Sequence, residues 1–402
     1  MGNTPNIRFK GFTDDWEQRK LGEVFQEYSE KNHPELPALT IIQGGGTVLR
    51  EESERKLQYD KSSLAGYKMV REDDFIVHLR SFEGGLEKSN HNGLISPAYH
   101  TFHGDEVDSR FYYPYFRSYE FIKHKLVPHV YGIRDGRSID IDGMKTIEIP
   151  WTSYEEQKKI GDYIESLDTL ITLHQRKCDE TKKLKKFMLQ KMFPKKDEKK
   201  PEIRFAGFTD DWEQRKLDTV AKFSKGSGYS KGDLIEFGTP IILYGRLYTK
   251  YETSISDVDT YVEAKEGSIY SKGGEVIVPA SGETAEDIAR AASVDKSGIL
   301  LGGDLNVMMP NENINPAFLA ISISNGNSQR ELAKKAQGKS VVHIHNEEIR
   351  NLIVPFPTKV EQNKIVDYFT NIDHLITLHQ RKCDEIKEIK KFMLQNMFPQ
   401  KG

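Results

Sequence analysis

Two long stretches of the chain place apolar residues at alternating steps of three and four. In residues 156–194 this stripe contains Ile160, Ile164, Leu167, Ile171, His174, Cys178 and Met188. In residues 361–399 it contains Ile365, Phe369, Ile372, Ile376, His379, Cys383 and Met393. The spacing is that of heptad a and d positions, and it predicts two helices of about 38 residues, each ended by a proline. We interpret the stripe as the interface of a helix pair, because the nearest partner for one such helix is the other.

Short β-branched and aromatic runs, bounded by glycine or proline, occupy the regions before each helix. They predict strands, with a helix over residues 328–337, in two regions of mixed and strand-rich structure. The runs lie at residues 73–82, 145–150, 239–248, 273–282 and 349–357.

The chain contains one long unit that has been duplicated. Residues 5–21 match residues 201–217 at 15 of 17 positions, and residues 156–194 match residues 361–399 at 28 of 39 positions. The segments between these repeats share almost no sequence. A framework that is kept alike around two dissimilar inserts suggests two binding regions on one scaffold.

The repeats predict a division of the chain into framework, domains and helices. The predicted segments are a framework segment at 1–21, a first domain at 22–150, a long helix at 151–194, a connector with the second framework segment at 195–217, a second domain at 218–356 and a second long helix at 357–399.

Composition is that of a soluble protein with several modest cores. The 402 residues are enough for two domains or more, with 37% hydrophobic and 30% charged residues. No apolar run approaches the roughly 18 residues that a membrane helix needs. Two cysteines give no disulfide framework. We therefore expect a cytoplasmic protein with no membrane partner.

Patterns typical of catalytic and metal sites are missing from the sequence. Residues 333–340 resemble a phosphate-binding loop, but they begin with Ala333 where that loop requires glycine. His343 and His345 lie two positions apart without further ligands, which favours simple surface chemistry over a metal site. We predict no catalytic residue, no metal site and no cofactor in this chain.

The repeated segments have characteristic ends. Each domain begins with "RFxGFTDDWEQRKL", the helices are entered through "EQKKI" and "EQNKI", and they end in "KKFMLQKMFP" and "KKFMLQNMFP". These motifs, over nearly the whole chain, resemble the specificity subunits of Type I restriction-modification systems. The resemblance implies an α+β fold, in which two pseudo-twofold-related, strand-rich target recognition domains are joined by two long antiparallel coiled-coil helices.

The resemblance also implies a function. Each recognition domain would read one half of an asymmetric, bipartite DNA site in the major groove. The helix pair would set the spacer between the halves and dock the partner subunits, and the repeated "GFTDDWEQRKL" would join each reader to the frame. The implied partners are double-stranded DNA, two methyltransferase subunits and endonuclease or translocase subunits. The chain itself would not be an enzyme, since S-adenosylmethionine, ATP and Mg would belong to the partners.

Charge argues against strong DNA binding by the chain alone. Residues 22–150 contain 16 Lys and Arg against 21 Asp and Glu, and residues 218–351 contain 14 against 18. Affinity for DNA usually comes from neutralised phosphates. We therefore expect positive charge on one face of each domain only, and we expect the partner subunits to supply much of the affinity for DNA.

Side chains in Gly-flanked loops or at strand ends are the candidate base contacts. Arginine can bind guanine with two hydrogen bonds, and polar side chains can pair with base edges. The candidates are Arg80, Ser81, Arg134 and Arg137 in the first domain, and Lys225, Tyr229, Arg246, Ser281 and Lys339 in the second. For each of them an ordinary solvated surface position is an open alternative.

Two functions from other classes stay open at this point. The acidic domains also fit a non-enzymatic coiled-coil scaffold that displays two protein-binding domains. The other alternative is an enzyme whose site has no familiar motif, and methylation or nuclease activity of the pure chain would support it.

Overall fold

A computed structural model of the chain describes residues 4–53, 61–78, 85–131, 138–338 and 341–399. Among these residues, no helix combines the length and the apolar character that crossing a membrane requires.

The chain forms two compact units, one of which consists of two separate stretches of the sequence. Unit 1 contains residues 1–175 and 380–402, and unit 2 contains residues 176–379. Each long helix is thereby divided between the two units. A helix of this length extends about 57 Å, which is too long for one small compact body.

Unit 1 holds a four-stranded antiparallel sheet in the order β2–β9–β6–β7, and the pairs β1–β12, β3–β4, β5–β8 and β10–β11. Its strands are β1 Glu17–Lys20, β2 Gln26–Tyr28, β3 Leu39–Ile42, β4 Gly46–Leu49, β5 Lys68–Val70, β6 Phe75–His78, β7 Glu87–Lys88, β8 Gly93–Ile95, β9 Tyr99–His103, β10 Val130–Tyr131, β11 Ser138–Ile139 and β12 Glu148–Trp151. Its α-helices before the long helix are α1 Leu21–Val24, α2 Ser109–Phe116 and α3 Ile141–Lys145. Its other helical turns are Lys61–Gly66, Glu120–Leu126 and Val127–His129.

Unit 2 holds two five-stranded sheets, in the orders β14–β24–β20–β22–β17 and β15–β18–β16–β23–β19, and the pairs β13–β26 and β21–β25. Its strands are β13 Glu213–Lys216, β14 Ala221–Lys225, β15 Leu234–Ile235, β16 Thr239–Ile242, β17 Ser254–Ile255, β18 Tyr261–Val262, β19 Tyr270–Lys272, β20 Glu275–Pro279, β21 Ser281–Gly282, β22 Ala292–Val294, β23 Ser297–Leu301, β24 Leu305–Pro310, β25 Val342–His343 and β26 Ile353–Phe356. Its shorter α-helices are α5 Arg246–Thr249, α6 Ala285–Ile288, α7 Pro316–Ile323, α8 Gly326–Lys335 and α9 Asn346–Arg350. Short 3₁₀ turns lie at Leu217–Thr219 and Lys231–Asp233.

The two long helices have the predicted length. Helix α4 (Tyr154–Lys191) and helix α10 (Lys359–Asn396) contain 38 residues each. The heptad stripe therefore predicted them correctly.

Within unit 2 the end of α4 and the start of α10 run antiparallel. The thiol of Cys178 lies 3.8 Å from the carbonyl oxygen of Ile376, and Lys185 Nζ lies 2.5 Å from Asp373 Oδ1. The partner number in α10 falls as the number in α4 rises, which defines an antiparallel pair.

Unit 1 contains the equivalent antiparallel pair, made from the other ends of the same helices. The thiol of Cys383 lies 3.9 Å from the carbonyl oxygen of Ile171, and Lys390 Nζ lies 2.5 Å from Asp168 Oδ1. The sequence repeat thus becomes a repeat of contacts.

The apolar stripe serves more than the helix pair for which it was predicted. Ile160 and Ile164 belong to the core of the strand-rich region in unit 1, and Ile365, Phe369 and Ile372 to that of unit 2. The first turns of each helix leave the strand-rich region directly, so their apolar face is buried there. The other predicted interface residues are buried or half-buried along the helices, namely Leu167, Ile171, His174, Cys178, Met188, Ile376, His379, Cys383 and Met393.

The ends of the long helices complete the two cores. Phe193, just after α4, stacks on Phe318 in unit 2 with ring centroids 5.8 Å apart. Phe398, just after α10, lies 5.0 Å from Phe111 and 6.1 Å from Trp16 in unit 1. Each strand-rich region is therefore closed by the helix that follows the other region in sequence.

The repeated framework segments form the same joint in both units. Strand β1 pairs antiparallel with β12, and β13 pairs antiparallel with β26 in the matching register. Trp16 and Trp212, which precede these strands, are both buried. The residues shared by the two copies of the repeat thus pair the strand that enters each strand-rich region with the strand that leaves it.

A buried ion pair reinforces each joint. Arg8 Nε and Nη2 donate to the two carboxylate oxygens of Glu156 at 2.6 and 2.8 Å, and Arg204 contacts Glu361 in the same way at 2.7 and 2.8 Å. Both glutamates lie in the first turn of a long helix. Hydrogen bonding to the carboxylates raises the pKa of both arginines above its ordinary value.

The next residue of each long helix holds the strand-rich region. Gln157 Oε1 accepts from the backbone N–H of Asp108, the N-cap of α2, at 3.1 Å. Gln362 Oε1 accepts from the backbone N–H of Asn315, the N-cap of α7, at 2.8 Å. The repeated Glu-Gln pair therefore binds the framework with its carboxylate and the strand-rich region with its amide.

Candidate nucleic-acid interface

The predicted base contacts divide into two groups. Arg80, Ser81, Arg134, Arg137 and Lys339 lie outside the described residues, and they stay predictions. The described candidates are all in unit 2, namely Lys225, Tyr229, Arg246 and Ser281.

Sheet topology brings Lys225 and Ser281 to one edge of the first sheet of unit 2. Strands β14 and β20 run in the same direction on either side of β24. Lys225 ends β14 opposite Asn306, and Pro279 ends β20 opposite Leu305. Ser281 follows Pro279 by two residues, so it emerges at the same edge as Lys225.

A histidine from a later part of the chain meets Ser281 at this edge. His343 lies directly opposite Ser281 in the β21–β25 pair, and its Nδ1 is 3.2 Å from Ser281 Oγ. The ring of His345 lies parallel to that of His343, at 6.5 Å between centroids and 7° between planes. The histidine pair is visible in the sequence, whereas its contact with Ser281, 62 residues away, depends on the pairing of β21 with β25.

The buried side chain of Asn306 links two of the strands at this edge. Its Nδ2 donates to the carbonyl oxygen of Ile344 at 2.8 Å, and it lies 3.5 Å from that of Pro279. Asn346 Nδ2 in turn donates to the carbonyl oxygen of Ser224 at 2.9 Å. We call Lys225, Ser281, Asn306, His343 and His345 the edge cluster.

Tyr229 belongs to a separate group of residues. Its hydroxyl lies 2.5 Å from Ser268 Oγ and accepts from the backbone N–H of Lys265 at 2.7 Å. The Lys265 ammonium also lies 4.7 Å from the centre of the Tyr229 ring. These contacts give Tyr229 a structural role in the loop that follows β14.

Arg246 is held inside the protein by carboxylates. Its side chain is only 7% exposed, with Nη1 2.7 Å from Asp259 Oδ1 and Nη2 2.8 Å from Glu252 Oε2. Lys250 and Arg246 together lower the pKa of Asp259 to about 2. A guanidinium engaged in this way is not presented to a base, so we remove Arg246 from the candidate contacts.

In unit 1 the buried carboxylate of Glu87 joins a glycine-rich turn to a helix. Glu87 accepts from the Tyr113 hydroxyl at 2.8 Å and from the backbone N–H groups of Gly44 and Gly46 at 2.8 and 3.3 Å. It also pairs with Arg117. This network fixes the glycine-rich turn before β4 against helix α2.

Comparison with known proteins adds to this geometry. Residues 209–388 match the family model of the Type I restriction modification DNA specificity domain. Over 267 residues the chain is 25% identical to the Type I restriction enzyme MjaVIII specificity subunit of Methanocaldococcus jannaschii. Both matches show sequence similarity to Type I restriction-modification specificity proteins. The match to the M. jannaschii subunit covers 63% of this chain and 61% of that protein.

The fold is similar to that of a solved S subunit. The crystal structure of the S subunit of a Type-I restriction-modification system from M. genitalium is similar with a TM-score of 0.61. The alignment covers 99% of this chain and 100% of that chain at 13% identity, so the likeness concerns the fold alone. The predicted family resemblance is confirmed, as is the predicted mixed fold with strand-rich regions and long helices.

Proposed function

We propose that this chain is the non-catalytic DNA specificity subunit of a Type I restriction-modification complex. Recognition regions 22–150 and 218–356 each read one half of an asymmetric, bipartite site in the major groove, and the helix pair sets the spacer. The observation that carries this proposal is the repeated joint. Two dissimilar strand-rich regions are attached to a duplicated helix frame through the same strand pair and the same buried ion pair.

Differences between the two regions support an asymmetric site. Among the described residues, the region in unit 1 has one four-stranded sheet and several two-stranded pairs, whereas the region in unit 2 has two five-stranded sheets. Surfaces that differ this much present different side chains to DNA. Two different half-sites follow from them, rather than a palindrome.

Exposed apolar side chains on the long helices support docking of two copies of one partner. They occupy equivalent positions of the sequence repeat, and their exposed fractions lie between 41% and 54%. The set in unit 1 is Leu170, Ile389 and Phe392, and the set in unit 2 is Leu375, Leu184 and Phe187. We call them the helix patches, and we propose that each binds one methyltransferase subunit. S-adenosylmethionine, ATP and Mg would be bound by the methyltransferase, endonuclease and translocase partners.

The helix patches yield a prediction about stoichiometry. Phe187→Asp and Phe392→Asp should each weaken one methyltransferase site by at least about tenfold, because each places an unpaired charge in an apolar interface. Native mass spectrometry of the assembled complex should find one methyltransferase copy with either single variant and none with the double variant.

Lys182→Asp is the matched control for the helix patches. Lys182 is exposed on the same helix, but two residues before Leu184, and it therefore projects from nearly the opposite side. It should retain both methyltransferase copies. Full assembly of the double variant would exclude the helix patches as docking sites.

The proposed function is tested by mapping methylation in cells that lack such systems. Co-expression with the methyltransferase partner should modify one split motif, with two short blocks around a fixed gap. Exchanging residues 22–150 for the equivalent region of a relative should change one block and leave the other block and the gap intact.

Both regions are acidic, which also fits a scaffold that binds proteins, and the methylation experiment can distinguish this alternative from DNA reading. A complex that assembles but methylates no defined motif would defeat DNA reading and favour a scaffold that displays two protein-binding domains. Filter binding to duplex DNA with partners present distinguishes the two. A DNA-reading subunit should increase the amount of DNA that the partners retain, whereas a scaffold should not.

A further inference from the structure

The two helix patches are equivalent in the sequence repeat, but one charged position beside them is not. Residues 156–194 and 361–399 agree at 28 of 39 positions and differ at the remaining 11. A single one of these differences exchanges a residue for one of opposite charge, because Lys183 in the first copy corresponds to Glu388 in the second. The repeat therefore reverses the sign of one charge on a surface that it otherwise keeps alike.

Both charged residues lie next to a helix patch. Lys183 precedes Phe187 by four residues in α4, and Glu388 precedes Phe392 by four residues in α10. Side chains four positions apart on a helix are neighbours, with about 5–6 Å between their Cβ atoms. Lys183 thus stands at the rim of the patch in unit 2, and Glu388 at the rim of the patch in unit 1.

Neither of these two charges is neutralised by the fold. The side chains of Lys183 and Glu388 are exposed, and among the described residues no ion pair engages either of them. Both charges are therefore available to a protein that covers the neighbouring apolar side chains.

The other differences in charge between the two copies lie elsewhere or are used internally. Lys191 pairs with Glu202 in unit 2, and Glu165 accepts from Arg110 at 2.7 Å in unit 1. Lys158 lies twelve residues, about 18 Å along the helix, before the first residue of a helix patch. The exchange of lysine for glutamate is thus the charge difference that bears on docking.

Two copies of one partner present the same surface to both patches. A charge on that surface that attracts Lys183 repels Glu388, and a charge of the other sign does the reverse. One exposed ion pair changes an equilibrium by up to about fivefold. The partner surface can therefore complement one patch fully, but not both.

We infer that the two helix patches bind the two methyltransferase copies with unequal affinity, and that Lys183 and Glu388 make them unequal. This inference rests on the proposed function. It deepens that function by giving the complex an assembly intermediate in which one methyltransferase copy occupies the tighter patch.

The experiment measures each patch separately, in the full chain with its methyltransferase partner. Phe392→Asp leaves the patch in unit 2, and Phe187→Asp leaves the patch in unit 1. Titration calorimetry of these two chains should give dissociation constants that differ by about fivefold at about 0.05 M salt. The difference should shrink at about 0.5 M salt, because ions screen exposed charges.

Reversing the two charges identifies the residues responsible. In the Phe187→Asp chain, Glu388→Lys should shift the dissociation constant to that of the patch in unit 2. In the Phe392→Asp chain, Lys183→Glu should shift it to that of the patch in unit 1. The direction of both shifts gives the sign of the charge on the partner.

Lys182→Glu in the Phe392→Asp chain is the matched control. Lys182 is exposed on the same helix, one residue from Lys183, but it projects about 100° further from the apolar side chains. Its reversal should change the dissociation constant by less than about twofold. These substitutions are at exposed helix positions, so the melting temperature of each chain should stay within about 2 °C.

Two results would overturn the inference and leave docking at the helix patches standing. One is equal dissociation constants for the two single-patch chains, and the other is a difference that persists after both charge reversals. Binding of two methyltransferase copies by the Phe187→Asp/Phe392→Asp chain would refute docking at the helix patches, and the inference with it. The methylation motif tests DNA reading independently of all three results.

Discussion

Replacing Glu156 with alanine is expected to destabilise unit 1 by about 3–5 kcal/mol, because it leaves an uncompensated buried charge. The carboxylate serves several donors at once. Arg8 contacts both of its oxygens, and the Trp16 indole N–H donates to Oε2 at 3.1 Å. The Thr152 hydroxyl donates to the same oxygen. One substitution therefore removes the partner of a guanidinium, an indole and a hydroxyl.

Tryptophan fluorescence during urea unfolding can measure this effect. Unit 1 contains Trp16 and Trp151, and Trp212 reports on unit 2. The control is Glu155→Ala, which removes an exposed carboxylate from the same helical turn and should cost less than about 0.5 kcal/mol. A loss below about 1 kcal/mol for Glu156→Ala would contradict the proposed role of this ion pair, since removing one partner of a buried pair costs more than that.

Elements with strong local periodicity could be predicted from the sequence. The heptad stripe predicted both long helices, and the apolar runs at 73–82 and 273–282 contain strands β6 and β20. These signals are local, because a side chain's position on a helix or strand depends only on its near neighbours in sequence. Propensity and pattern were sufficient for them.

Contacts between distant segments could not be predicted in this way. Ser281 meets His343 only because β21 pairs with β25, and no local pattern specifies that pairing. The ion pairs of Arg246 are nearer in sequence, but Glu252 and Asp259 lie in an irregular loop, and no regular spacing predicts that they contact the guanidinium. Lys225 and Ser281 stay predicted contacts, and His343, which lies opposite Ser281, was not among the predicted contacts.

The helix ends show the same limit. The repeated "MFP" motif was interpreted as the end of each long helix, because proline cannot continue it. Its phenylalanines have a second role that depends on chain topology, since each enters the core of a strand-rich region. A repeated aromatic residue just beyond an amphipathic helix could have suggested an anchor.

Truncating Phe398 to alanine is expected to cost unit 1 about 3–5 kcal/mol, the usual range for a buried phenylalanine. Its ring lies among Phe111, Tyr115 and Trp16, with centroid distances of 5.0, 5.7 and 6.1 Å. Phe392→Ala is the matched control. It removes the same side chain from the same end of the chain, but Phe392 is 54% exposed and should cost less than about 1 kcal/mol.

The same fluorescence measurement tests this prediction, and equal costs for Phe398→Ala and Phe392→Ala would contradict it. A double variant makes the test sharper. Trp16 contacts both Phe398 and Glu156, so the two truncations share a neighbour. Their costs should deviate from additivity by about 0.5–3 kcal/mol, as is usual for residues coupled through one contact. Strict additivity would mean that the helix end and the framework joint stabilise unit 1 independently, whereas coupling would make them one structural element.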